Sequence, residues 1–324
     1  MYKEKILNLL RSSRTALISG EELARKCGIS RTMVWKHIKT LERDGFVIEA
    51  VPSQGYRITA APDLLRKNDI TPGLKTKLIG KHIHLFPEIA STNTLAMEMA
   101  TAGAPEGTVV IAERQTAGKG RLGRKWISPK GNLYLSVILR PHVPMHRAPL
   151  VTLMGAVAVA SAIRTTCNLK AGIKWPNDIL LSGKKVCGLL TEMSAEQDRI
   201  RHLVLGIGVD VNMDPEELPA GIQGLATTLA REAGAAINRT ALLQQVLRDL
   251  ELWYRAFLEN HSAIINEWGA MNVTVGNRVA VGGAGEVLEG LAQGIDHEGR
   301  LLLRLDDGTI RTVAAGDVTI LKKG

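Results

Sequence analysis

The run Glu113-Arg114-Gln115-Thr116-Ala117-Gly118-Lys119-Gly120-Arg121-Leu122-Gly123-Arg124-Lys125-Trp126 follows an apolar strand candidate at residues 109–112. Gly118, Gly120 and Gly123 let the backbone turn tightly and approach a ligand closely. Lys119, Arg121, Arg124 and Lys125 crowd positive charge into the same stretch, which suits a polyphosphate or an anion that develops during a reaction. The spacing satisfies G-x-G-x-x-G, but a dinucleotide-binding fold needs a helix directly after the turn. Here Trp126-Ile127-Ser128-Pro129 leads into a second strand at 133–139. A Walker A loop is excluded too, because Gly118-Lys119 is followed by glycine instead of Ser or Thr. An exposed basic turn is the poorer reading of so many glycines and cations beside a strand.

Working outward, Lys174-Trp175-Pro176-Asn177-Asp178 precedes Lys184-Lys185-Val186-Cys187-Gly188. Pro176 and Asn177 make a turn between strands, and an Asp at such a place is usually a turn cap. Lys185 opens an apolar strand and can point inward, where an ammonium needs an anionic partner that a ligand would supply. Further strands are read at 173–175, 179–181, 186–191 and 203–211, with helices at 93–102, 149–167 and 240–259. The alternation predicts an α+β chain whose central domain, residues 63–270, is mixed α/β.

Residues 1–62 read as a winged helix-turn-helix. Ile6, Leu7, Leu9 and Leu10 form one face of a first helix. Ser19 and Glu22 have capping-box spacing, Gly28-Ile29 makes a turn, and Ser30 caps a helix that buries Val34, Ile38 and Leu41. Segments 46–51 and 56–58 form a hairpin around Pro52-Ser53-Gln54-Gly55. In the major groove Arg31, Thr32, Trp35 and Lys36 would reach base edges or phosphates, and Lys39 phosphates. Gln54 and Arg57 on the wing suit the minor groove or the backbone. The bland alternative is a protein-contact module with a solvated charged face. Residues 271–324 carry short strands at 273–275, 278–281, 286–295, 301–305 and 309–313, punctuated as at Asp307-Gly308, which predicts an SH3-like β-barrel.

Bulk properties agree with a three-part soluble chain of 324 residues. Net charge is +9, and residues 1–60 hold eleven Lys/Arg against six Asp/Glu, which fits a nucleic-acid contact at the N-terminus. Cys27, Cys167 and Cys187 are isolated and odd in number, so a disulfide scaffold is not expected and a reducing cytoplasm is the simplest compartment. The opening Met1-Tyr2-Lys3-Glu4-Lys5 lacks a signal-peptide pattern. Residues 148–163 are apolar but interrupted by Thr152, Gly155 and Ser161, so they read as a core helix, and no membrane partner is expected. His82 and His84 lack a third ligand at useful spacing, and no protein metal site is predicted.

The winged head, Ser91-Thr92-Asn93, the glycine-rich loop, KWPND at 174–178, the 185–188 segment and Gly206-Ile207-Gly208-Val209-Asp210-Val211-Asn212 together make the sequence similar to the bifunctional biotin–protein ligases, the group that includes the biotin operon repressor. The resemblance implies that biotin and ATP, with Mg²⁺, form biotinyl-5′-adenylate, and that biotin then passes to a lysine of the biotin carboxyl carrier protein of acetyl-CoA carboxylase. It also implies operator DNA of biotin genes as a partner and an adenylate-promoted homodimer. By motif position it places Ser91, Thr92, Asn93, Gln115, Gly118, Lys119, Gly120, Arg121, Lys185 and Gly188 around biotin. Arg121, Arg124, Lys125, Trp126, Asn177, Lys185 and Asn212 fall to ATP. Lys185 and Arg121 would be catalytic, and Asp178 would orient or deprotonate the incoming lysine. Three positions depart from the pattern. Lys119 stands where Arg is common and lacks its bidentate fork, Leu122 replaces a cation of some members, and Asp210 takes a place often held by Asn. A lipoate-type acyl ligase, a ligase with a non-regulatory head and a non-catalytic biotin sensor are the rival readings.

Overall fold

The computed structural model describes residues 2–13, 16–196, 199–283 and 286–321. The chain divides into two compact units, Met1–Leu64 and Leu65–Gly324.

The first unit holds α1 (Tyr2–Ser12), α2 (Gly20–Cys27), α3 (Arg31–Arg43), β1 (Val47–Val51) and β2 (Gly55–Ala60). Ser19 accepts the Glu22 N–H at 3.0 Å and so starts α2. Gly28 ends it in the left-handed region, φ 71°, where a side chain would be strained. Ser30 accepts the Met33 N–H at 3.2 Å and starts α3. Ile6, Leu10, Leu23, Val34, Ile38, Leu41 and Phe46 fill the core between the helices, and β1 and β2 form an antiparallel wing.

The second unit runs through α4 (Lys67–Ile70), β3 (Ile83–Phe86), α5 (Thr92–Thr101), β4 (Val109–Ala112), β5 (Leu133–Leu139), α6 (Ala148–Cys167), β6 (Gly172–Lys174), β7 (Asp178–Leu181), β8 (Lys184–Glu196) and β9 (Arg199–Val209). It continues with α7 (Ala220–Gln223), α8 (Leu229–Ala233), α9 (Arg239–Glu259) and α10 (His261–Met271). The strands make a seven-stranded sheet in the order β3-β4-β5-β9-β8-β7-β6, antiparallel except for β3 and β4. Alternate side chains go to opposite faces. Val109, Ile111, Val137, Leu203 and Leu205 meet α6, α9 and α10, whereas Val110, Ile138 and Val204 meet α5. At 20 residues α6 is long and apolar enough to cross a bilayer, yet its side chains from Leu150 to Ile163 are mostly buried in this core. A Cβ on Gly155 would come within 2.8 Å of Leu189 and Leu205, so glycine lets α6 press onto the sheet.

The chain ends in β10 (Arg278–Gly283), β11 (Glu286–Ile295), β12 (Leu301–Arg304), β13 (Ile310–Val313) and β14 (Asp317–Ile320), ordered β13-β12-β11-β10-β14. The closed barrel expected here is instead an open sheet, because no β13–β14 ladder forms among the described residues. The two edge strands are nonetheless joined by only residues 314–316. A flat sheet would separate them by about 19 Å, more than the roughly 14 Å that link can span, so the sheet is curled. The strand expected at 273–275 is a turn: Asn272 Oδ1 accepts the N–H groups of Thr274 and Val275 at 3.2 and 2.8 Å. β14 lies beyond the predicted strands. Val279, Val281, Leu301, Leu303 and Val318 join the core of the seven-stranded sheet, and Trp175 Nε1 donates to the Gly299 carbonyl at 2.9 Å.

A candidate ligand cavity beneath the glycine-rich loop

The loop after β4 closes on itself. Trp126 N–H donates to the Gly118 carbonyl at 2.9 Å, and Gly120 N–H to the Arg124 carbonyl at 2.7 Å. A Cβ on Gly118 would lie 2.4 Å from the Trp126 carbonyl oxygen, so the closure requires glycine there. Leu122 takes a left-handed φ of 54°, a strained conformation that the sequence alone would have given to a glycine.

Below the loop lies a cavity of about 640 Å³. It brings together Ser91, Thr92, Asn93, Gln115, Lys119, Gly120, Arg121, Arg124, Lys125, Trp126, Asn177, Asp178, Lys185 and Gly188. Gly118 supports the loop without lining the cavity. Asn212 is turned away: its amide donates to the Ile237 carbonyl and accepts the Ile237 N–H, both at 2.9 Å.

One end of the cavity is a polar network built mainly from uncharged side chains. Gln115 Oε1 accepts from the Thr92 N–H at 2.8 Å and lies 3.0 Å from the Thr92 hydroxyl, while its Nε2 donates to Ser128 Oγ at 3.0 Å. The buried Ser136 hydroxyl sits 2.8 Å from Thr92 Oγ1 and 2.6 Å from Asn93 Oδ1. Asn93 Nδ2 donates to Glu192 at 2.8 Å. These side chains are thus oriented by one another, the arrangement that makes a polar pocket selective. The indole of Trp126 lies across the paired glycines Gly188 and Gly208, where Cβ atoms would come within 2.8 and 2.5 Å of it. Its Nε1 is buried without a hydrogen-bond partner among the described residues, and Lys185 Nζ stands 5.1 Å from the ring centroid.

The other end is charged. Asp178 receives Lys185 Nζ at 2.6 Å and Lys174 Nζ at 3.1 Å. Arg121 Nη1 donates to Asn177 Oδ1 at 3.0 Å and to the Gly316 carbonyl at 3.2 Å. Burial draws the Arg121 guanidinium below its ordinary pKa, with Asp178 opposing the shift and Arg124 adding to it. Asp317 at the start of β14 pairs with Arg124 and lies 4.0 Å from Arg121. Sequence reading missed Asp317, although the alternation in Asp317-Val318-Thr319-Ile320 marks a strand. It also did not join Lys174 to Asp178. Asp210, noticed only as a departure, is 5% exposed and lines the same cavity.

On the head, Arg31, Thr32, Trp35, Lys36 and Lys39 are exposed along α3, with Trp35 51% accessible. Lys39 is paired with Glu42 at 2.7 Å, and Arg57 on the wing bonds Glu49. Gln54 is exposed at the hairpin turn.

Residues 3–57 match an HTH domain, 85–210 the biotin/lipoate A/B protein ligase family and 274–321 the biotin protein ligase C terminal domain. The bifunctional ligase/repressor BirA of Bacillus subtilis (strain 168) is 38% identical over 320 residues, 98% of each chain. The chain belongs to the bifunctional ligase/repressor BirA family. The biotin–[acetyl-CoA-carboxylase] ligase of Mycobacterium tuberculosis is 33% identical over 77% of this chain and 94% of its own. The biotin protein ligase from Aquifex aeolicus in complex with biotin and ATP shares the fold with a TM-score of 0.64 at 30% identity, over 75% of this chain and 100% of that one. In this BirA-family member the helix-turn-helix and the ligand cavity belong to separate compact units.

Proposed function

We propose that the chain is an ATP-dependent biotin–protein ligase whose head represses biotin-synthesis genes. The observation that carries the reading is one cavity with a prearranged neutral network at Thr92 and Gln115 and a cationic end at Lys185 and Arg121. The ureido ring of biotin is neutral and rich in hydrogen-bonding groups, so it goes to Ser91, Thr92, Asn93 and Gln115. Its carboxylate reaches the cations, where two anions must be held together.

In the first step a carboxylate oxygen attacks the α-phosphorus of ATP, the bond to the bridging oxygen breaks and pyrophosphate leaves. Lys185 bridges carboxylate and α-phosphate, and Arg121 holds the phosphoryl oxygens. Lys119 and Gly120 wrap the junction, with Gly118 keeping the loop closed and Gly188 leaving room on the floor. Arg124, Lys125, Trp126 and Asn177 serve the nucleotide, and Asn212 acts by fixing the chain at Ile237. Mg²⁺ would be carried mainly on the nucleotide's own phosphates and would neutralise part of their charge. In the second step an acceptor lysine attacks the activated carbonyl and expels AMP. Asp178, relieved of Lys185 once substrate takes the ammonium, is placed to accept the lysine's proton. The acceptor is the biotin carboxyl carrier protein of acetyl-CoA carboxylase, and the setting is the cytoplasm. Adenylate binding promotes a homodimer that sets two heads on a two-fold operator.

The test is biotin-dependent exchange of labelled pyrophosphate into ATP. Exchange with biotin and not lipoate, lost in Lys185→Ala, is the expected result. Exchange with lipoate alone would make the chain a lipoate-type ligase. Footprinting a biotin-gene operator with and without adenylate tests the head, and binding indifferent to adenylate would refute regulation.

A further inference from the structure

We propose that Glu192 is a positioning residue that joins the ring end of the biotin pocket to the glycine-rich loop, one carboxylate oxygen holding Asn93 and the other Lys119. This deepens the ligase reading and rests on it. Asn93 is buried in the first turn of α5 and lines the cavity. Its amide lies across three strands. Ser136 on β5, Gly206 on β9 and Leu190 on β8 are paired in register. A Cβ on Gly206 would overlap the Asn93 amide, so glycine opens the bed on which it rests. On one side the Ser136 hydroxyl meets Asn93 Oδ1 at 2.6 Å. On the other, Asn93 Nδ2 donates to the Leu190 carbonyl at 3.2 Å and to Glu192 Oε2 at 2.8 Å. Glu192 follows Leu190 by two positions on β8 and so faces the same side of the sheet.

A carbonyl and a carboxylate only accept, so Leu190 and Glu192 take the amide NH₂ and leave its oxygen to Ser136. Of the two, Glu192 is charged and has the shorter bond, which makes it the stronger hold. The hold is passed on, because Ser136 meets Thr92, and Thr92 is bonded to Gln115. The remaining oxygen of Glu192 faces the loop. Lys119 Nζ stands 3.8 Å from Glu192 Oε1, its one carboxylate partner among the described residues. The other paired cations of the loop are anchored at the charged end, Arg121 on Asn177 and the Gly316 carbonyl, Arg124 on Asp317. Lys119 is thus the cation that ties the loop down at the ring end. Closure there shields a reactive adenylate from water. The tie is a single ammonium at the limit of ion-pair range, half-exposed, where an arginine would present a planar fork.

The experiment separates the two oxygens in the full chain. Biotin affinity is measured by calorimetry, and loop retention by the rate at which the labelled, non-hydrolysable biotinol ester of AMP leaves in a chase. Glu192→Ala removes both contacts and should weaken biotin about tenfold. Glu192→Gln keeps an acceptor for Asn93 and loses the charge facing Lys119. It should bind biotin within about twofold of its parent yet release the ester about two- to fivefold faster. Lys119→Met should speed release as well, and the double variant should be no faster than the quicker of the two. Lys119→Arg should slow release in the parent and not in Glu192→Gln. A merely structural Glu192 would move affinity and release together. Release from Glu192→Gln as slow as from the parent, additive effects with Lys119→Met, or biotin affinity unchanged in a folded Glu192→Ala overturns the proposal. The Glu192→Gln and Lys119→Met cycle decides even if Glu192→Ala does not fold. Failure of the parent to bind biotin or the ester would instead refute the ligase reading and remove this proposal with it.

Discussion

Replacing Arg239 by Met tests what holds the root of the glycine-rich loop. Arg239 is 1% exposed, and its Nη1 donates to Glu113 at 2.9 Å and to the Asn132 carbonyl at 2.8 Å. Glu113 accepts the Leu65 N–H at 2.6 Å through its other oxygen. The pair therefore binds the start of the second unit, the base of the loop, the approach to β5 and the first turn of α9. Arg239→Met leaves the Glu113 charge buried with one backbone donor, and losing one partner of such a pair costs about 3–5 kcal/mol. Adding Glu113→Gln removes the stranded charge and keeps an acceptor for Leu65, so the double variant should recover about 1–3 kcal/mol of that loss. Urea unfolding followed by tryptophan fluorescence reads this unit, because Trp175 and Trp268 are both 1% exposed within it. With a slope near 3 kcal/mol per M the midpoint should fall by about 1–2 M for Arg239→Met. A loss under about 1 kcal/mol, or strictly additive effects in the double variant, would refute the reasoning.

Other outcomes follow from particular contacts. Gly208→Ala sets a Cβ 2.5 Å from Trp126 Nε1, so the indole must leave the cavity floor. Pyrophosphate exchange should drop at least about tenfold with little loss of stability, since the damage is steric and local. Asp210 holds its proton to about pH 8 when folded but releases it near pH 4 when unfolded, so the folded state binds more protons across that window. Stability therefore falls as pH rises from 4 to 8, and Asp210→Asn should exceed its parent by up to a few kcal/mol at pH 8.5 and by much less at pH 5, read from urea midpoints. On the head, Lys36→Ala should weaken operator binding and reduce the slope of log K against log salt by about one, whereas an unchanged slope would remove Lys36 from the phosphate contacts.

Local chemistry was legible in the sequence wherever neighbours in the chain do the work. Ser19, Gly28 and Ser30 mark helix ends through bonds that reach three or four residues, and each behaves so in the structure. The strand before the loop and the helices at 92–101, 148–167 and 239–259 follow from apolar periodicity. What could not be read are pairings whose partners lie far apart in sequence. Nothing near Glu113 announces Arg239, and nothing near Arg124 announces Asp317. Trp126 reads as the end of a basic run, and only the sheet register, which pairs Gly188 with Gly208, reveals the flat bed on which it lies. The bond from Asn212 to Ile237 went unread for the same reason, since the two are 25 residues apart. The strand at 317–320 is short, and its neighbour β10 is found only through pairing.

The contact from Asp317 to the loop arginines also imposes an order on synthesis. This residue follows the helix-turn-helix by more than 250 positions. At translation speeds of about 5–20 residues per second, the head is complete on the order of 10–50 s before the strand bearing Asp317 has been made. A growing polypeptide thus passes through an interval in which it has a finished DNA-reading module and an unfinished cavity wall. Products cut short before residue 317 would keep the first and lack the second.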